Sequence, residues 1–309
     1  MKTHASKVLL VSGLVLLHSA ACGPIEGDTP ASPDVEPGHQ TQALSDANGL
    51  AFNGLAVNGL AFNGLAMNGL AVNGLSTQAF SSWFQKDAAL HAQVMKYLVH
   101  CAAPRGVTRG YTNAQENKTY TWAGGMGLAP DWTSGKPATE TEQQLVSACL
   151  AAHANKHGVS VSISVLGRTA RGWNIPLGPD ELSLYPKREA CFFGNLFSGE
   201  GLYVANDGTT LGSSQSSPRA CGLLGENKKV REQCAPLVFV GSCEELCTQD
   251  PTDNFYVSCR YNGKTWRPIV TRLRDQDLYS CGDHRCQFTE RCGTGESYDS
   301  CQEDCGRCR

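Results

Sequence analysis

Apolar and polar residues alternate through residues 159–165, with Val159, Val161, Ile163 and Val165 set against Ser160, Ser162 and Ser164. Period two predicts a strand with one face for a core and a serine face open to water or a ligand. Residues 237–240 and 120–122 are two further short strand candidates. Residues 79–101 carry the other period. Phe80, Phe84, Val94, Leu98 and Cys101 recur at helical spacing, Trp83 and Leu90 lie nearby, and charged positions fall mainly between them. A second helix is expected from Thr139, where Thr139 and Glu142 fit a capping box, to a stop at Gly158. Its apolar stripe includes Leu145, Ala148, Cys149 and Ala152. Each helix brings a cysteine to a face expected to be buried, so Cys101–Cys149 is a candidate bridge. Strands and crossover helices do not alternate regularly, and the expected class is α+β.

The N-terminal pattern concerns destination. Lys2 precedes an apolar run over residues 8–17, and Ser19, Ala20 and Ala21 lead into Cys22. The run is too short to cross a bilayer and is flanked like an export signal, so residues 1–21 are expected to be removed. Residues 22–47 are rich in Pro, Gly, Asp, Glu and Thr and read as a flexible tether. Six Asn-Gly-Leu pentads then run through residues 48–76 at a strict period of five, uninterrupted by charge. That period matches neither helix nor strand, and the glycines weaken a helix. The expected state is a flexible or weakly ordered repeat. A stacked solenoid and docking of the Leu and Phe positions onto another surface are the alternatives.

A formal net charge of −3 supplies no basic field for nucleic acid. There are 15 cysteines; setting Cys22 aside leaves an even number, which in an exported chain means up to seven disulfides. The expected organisation is a compact disulfide-rich core over residues 79–265 and a cysteine-knot-like appendage over residues 281–309. The appendage carries Cys281, Cys286, Cys292, Cys301, Cys305 and Cys308 and is too small for a large core of its own.

Candidate chemistry is sparse. Cys149, His153 and His157 are spaced to share a helix face and could ligate a metal if the thiol stayed reduced. His100 beside Cys101 offers a thiol and an imidazole, although adjacent helix positions point apart. Asp131, Asp180, Glu181 and Glu189 are the carboxylates available for an acid–base pair. Tyr111, Tyr120, Trp122 and Trp132 cluster around Gly124, Gly125 and Gly127; an ordinary domain core is the expected reading, and exposed rings that stack on a glycan or hold a protein are the alternative, with Tyr120, Trp122 and Trp132 as its candidates. In the appendage, Asp283, Glu290, Glu296, Asp299 and Asp304 are hard oxygen donors. No cofactor is expected, the favoured reading being a disulfide knot without a functional metal; calcium is the alternative, with Asp283, Glu296 and Asp304 as its leading candidates.

Three resemblances add to this. Ser19 to Cys22 resembles a bacterial lipobox, which implies acylation of Cys22, with palmitate among the attached chains. Gly23, in place of Asp, implies sorting to the outer membrane. GGMGLAPDW (124–132), LVSACLAAHANKHGVSVSISVLG (145–167) and EACFFGNLF (189–197) resemble uncharacterised exported proteins of soil and gliding bacteria, over residues 98–197. That resemblance implies a genuine domain and carries no activity. Cys281-Gly282-Asp283, Cys286, Gly295-Glu296, Cys301 and Asp304-Cys305 resemble a small module of exported bacterial proteins, with His284 where that module has Gly and Cys292 interrupting its spacing. The expectation is a surface-tethered lipoprotein acting as an interaction or structural module of the cell envelope. Its partners would be the lipid membrane and an envelope protein or glycan. The alternative is an envelope-associated hydrolase of glycan or peptide.

Overall fold

The computed structural model describes residues 50–51, 63–253 and 255–309. The signal, the tether and part of the pentads lie outside these residues. The main elements are α1 (Gln78–Lys86), α2 (Ala88–Ala102), β1 (Thr108–Asn113), β2 (Lys118–Ala123), α3 (Glu140–Ala152), β3 (Ile163–Leu166), β4 (Lys187–Asn195), β5 (Gly201–Asn206), β6 (Leu237–Ser242), β7 (Cys247–Gln249), β8 (Tyr256–Tyr261), β9 (Lys264–Trp266) and β10 (Ile269–Leu273).

A five-stranded sheet in the order β6-β5-β4-β10-β3 organises the molecule. Only β6 and β5 are parallel; the other pairs are antiparallel. Side chains alternate between its faces along β4. Ala190 and Phe192 join the core with α2 and α3, whereas Cys191 and Phe193 join a second core with Tyr256, Cys259 and Trp266. Helices cover one face and the antiparallel sheet β7-β8-β9 covers the other. This is a compact α+β domain with multiple disulfides.

Covering both faces explains why the serine side of the alternating segment is closed. The strand begins at Ile163, not Val159, and Ser164 is buried with its hydroxyl donating to Glu181 at 2.6 Å. Val159 is drawn into a loop by Asn155, whose Oδ1 accepts from the amides of His157 and Val159 and whose amide donates to the Val159 carbonyl. The helix expected over residues 79–101 is two helices. Asp87 leaves helical geometry and caps α2 by accepting from the Leu90 amide at 3.0 Å. α3 has the expected Thr139–Glu142 capping box, but it ends at Ala152 with His153 as its C-cap, six residues before Gly158.

The pentads differ most from expectation. Leu65–Asn68 and Val72–Leu75 are one-turn helices, and Leu50, Leu65, Leu70 and Leu75 are all buried. The intervening Met67 and Val72 point outward, 72% and 80% exposed. Hydrogen bonds seat the repeat: the Trp132 indole donates to the Leu65 carbonyl at 2.7 Å, and the Leu70 amide donates to the Trp132 carbonyl at 2.8 Å. Glycine is required where backbones meet. A Cβ on Gly69 would lie 2.5 Å from the Gly135 Cα, and one on Gly74 would lie 1.9 Å from the Gly69 carbonyl. Each sequestered leucine removes enough apolar surface to contribute about 1.5–3 kcal/mol. The described pentads are therefore part of the core, not a flexible repeat preceding it.

Fourteen cysteines form seven bridges: Cys101–Cys149, Cys191–Cys243, Cys221–Cys234, Cys247–Cys259, Cys281–Cys301, Cys286–Cys305 and Cys292–Cys308. The three in the tail join first to fourth, second to fifth and third to sixth cysteine. The tail also packs on the core. Tyr279–Ser280 pairs with Gln215–Ser216, and the amides of Cys281 and Tyr298 donate to the Ser214 and Ser213 carbonyls.

Candidate functional site

The densest polar chemistry is sealed inside. Cys101–Cys149 joins α2 to α3. His153, at the end of α3, donates from Nδ1 to the Cys149 carbonyl at 2.8 Å, and among the described residues its Nε2 has no hydrogen-bond partner. The His100 ring stands 5.4 Å away. Nearby, Arg219 and Glu189 form an ion pair whose side chains are each 1% exposed. Arg219 binds both carboxylate oxygens, at 2.7 and 3.2 Å, and donates to the Ala154 carbonyl at 2.8 Å. These donors satisfy the buried Glu189 carboxylate, which would otherwise be strongly disfavoured.

Burial, followed by the charges of His100 and Arg219, pushes His153 down to about 3. It therefore stays neutral when folded, whereas the unfolded chain takes up a proton near the ordinary value of about 6.5. Between those values unfolding binds a proton, so stability falls as pH drops from about 6.5 to about 3, by on the order of 5 kcal/mol. His153→Gln is expected to flatten this acid limb. Denaturation midpoints measured at several pH values check it, and an unchanged slope would contradict the assignment.

The residues singled out in the sequence disperse. Cys149, His153 and His157 do not form one face: Cys149 is bridged, His153 is buried, and His157 lies beyond the helix with its exposed ring 5.0 Å from Phe288. Cys101 is bridged, so His100 has no thiol beside it. The carboxylates have separate environments. Asp131 pairs with Lys136, Asp180 precedes the short helix Glu181–Leu184, Glu181 accepts from Ser164 and the Gly178 amide, and Glu189 holds Arg219.

The aromatic cluster is largely internal. Trp132 is fully buried and edge-on to Phe197, and Trp122 is buried with its indole donating to the Ala92 carbonyl. Tyr111 and Tyr120 are half-buried against Phe84. Packing and internal hydrogen bonds occupy Trp122 and Trp132, which are core, whereas Tyr120 is half-buried with its hydroxyl donating to Glu116.

Clusters of Cys, His and Asp do reach metal-ligand spacing. Cys101, Cys149 and His153, then Cys191, Cys247 and Cys259, then Cys281, Cys301 and Asp304 each bring their ligand atoms within 4.8 Å. All the sulfurs are in bridges, so a metal could use them only after reduction. Asp283, Glu296 and Asp304 are not one of these clusters. Asp304 accepts from the amides of Gly282 and His284, Asp283 from Arg285 and the Gln287 side chain, and Glu296 sits in a short exposed hairpin. Backbone amides and the Gln287 side chain engage the Asp283 and Asp304 carboxylates.

A cavity of about 450 Å³ opens beside β6, with Val204, Pro236, Leu237, Val238, Phe239 and the Cys221–Cys234 bridge in its walls. Among the described residues β6 is an edge strand, bonded to β5 alone within the sheet, and Val238 is 48% exposed. An open edge beside an apolar wall can accept an extended segment through backbone hydrogen bonds, with side chains entering the cavity. The short apolar run at residues 237–240 marks a strand candidate, but its position at the sheet edge depends on long-range pairing. A more polar cavity of about 310 Å³ lies between core and tail, where the Arg231 guanidinium covers the Tyr298 ring at 4.4 Å.

No protein-family model, curated protein or solved structure matches the chain. The site must therefore be read from its own geometry.

Proposed function

We propose that this chain is a lipid-anchored protein of the outer membrane that serves as an interaction module of the cell envelope. It binds an extended segment of an envelope protein along β6. The observation that carries this reading is the cavity beside edge strand β6, whose walls mix Val204, Leu237, Val238 and Phe239 with Glu232 and Gln233, while the candidate catalytic groups are bridged, buried or dispersed. The anchor rests on the apolar run and the Ser19–Cys22 motif. It gains support from cysteine pairing: the seven bridges account for fourteen of 15 cysteines, leaving Cys22. Stable anchoring requires more than one acyl chain or a second signal.

Cys22→Ser is expected to move the protein from the membrane to the soluble fraction and remove the lipid mass from its N-terminal peptide. A variant that stays in the membrane with that mass intact would defeat the anchoring claim. The docking claim is tested separately at Val238.

A further inference from the structure

Two bridges lie side by side in the layer outside the central sheet. Cys191–Cys243 ties β4 to the short helix Cys243–Leu246, and Cys247–Cys259 ties β7 to β8. The sulfurs of Cys191 and Cys247 belong to different bridges yet stand 3.5 Å apart. Those of Cys191, Cys247 and Cys259 all lie within 4.8 Å. A thiolate on Cys247 would therefore begin in contact with the neighbouring disulfide. Exposure identifies the point of entry: Cys191, Cys243 and Cys259 are fully buried, whereas Cys247 is half-buried and Thr248 and Gln249 beside it are exposed.

We propose that these four cysteines form a thiol–disulfide exchange site, in which a dithiol that opens Cys247–Cys259 transfers the remaining bridge to Cys191–Cys247. One thiolate of the dithiol attacks Sγ of Cys247, and Cys259 leaves and takes a proton from water. The second thiolate closes the dithiol's own disulfide and releases the Cys247 thiolate. The dithiol is oxidised by two electrons, and one protein bridge is reduced. The Cys247 thiolate then attacks Sγ of Cys191. A Cys191–Cys247 bond forms as Cys191–Cys243 breaks, with no further net oxidation or reduction. Cys243 leaves and is protonated by water. Its Sγ already lies 3.2 Å from the Ala205 carbonyl, which can accept from the new thiol. The reductant class is a dithiol, either a small molecule or a dithiol oxidoreductase.

The test treats the full-length mature protein with limiting dithiothreitol, quenches in acid, alkylates free thiols and maps the linked peptides. The expected product has Cys191 joined to Cys247, with Cys243 and Cys259 alkylated. Alkylation of Cys247 and Cys259 with Cys191–Cys243 intact would overturn the proposal, as would loss of both bridges without the new link. Cys259→Ser provides a second route without added reductant. Cys243 should be at least about tenfold more alkylated in this variant than in wild type, with Cys247 bridged to Cys191. A variant with Cys247 free and Cys191–Cys243 intact would also overturn it.

Discussion

Arg219→Met is expected to destabilise the protein by about 3–5 kcal/mol, among the largest effects of any single substitution outside the disulfides. The change removes three donors from a region without compensating solvent. Glu189 loses both of its Arg219 contacts, and the Ala154 carbonyl loses a third bond. The penalty arises mainly from the stranded carboxylate, not from lost attraction. A double variant, Arg219→Met with Glu189→Leu, should therefore recover most of the loss. Equilibrium denaturation of the single and double variants checks this. A single variant within about 1 kcal/mol of wild type, or a double variant no better than the single, would show that Glu189 does not depend on Arg219.

Leu70→Ala is expected to cost about 2–5 kcal/mol, whereas Met67→Ala should stay within about 0.5 kcal/mol. Both lie in the same low-complexity repeat, three residues apart. Leu70 is fully buried and its backbone joins Trp132, while the Met67 side chain is largely exposed. A flexible repeat would make the two substitutions alike. Denaturation midpoints for the pair separate the possibilities: equal and small effects would remove the pentads from the core.

The sequence made some features legible because their causes are local. The Thr139–Glu142 capping box depends on residues three apart, and an even number of cysteines beyond Cys22 allows complete pairing without revealing partners. The break at Asp87 is missing from the expected helix over residues 79–101 because the apolar spacing continues across it. The pentads were harder. Their leucines are buried because Trp132, Gly135 and Ala138, far away in sequence, supply a surface and hydrogen-bond partners for the repeat. The serine face failed for a related reason: the outer sheet β7-β8-β9 covers that side, and Glu181 receives the Ser164 hydroxyl. Among candidate site residues, Cys101 and Cys149 come together as expected. His157 does not join Cys149 and His153 because α3 ends early, and Trp122 and Trp132 are core, as expected of the aromatic cluster, with their indole donors on backbone acceptors inside. The cavity at β6 had no local signature beyond a short apolar run.

The most direct measurement places a photo-crosslinking residue at Val238 in the full-length protein within its native membrane, with the same residue at exposed Val72 as control. The account predicts a discrete product from Val238 containing an envelope protein, absent from Val72 and lost when Phe239→Asp is added in the cavity wall. No product at Val238, or the same product from both positions, would contradict docking along β6.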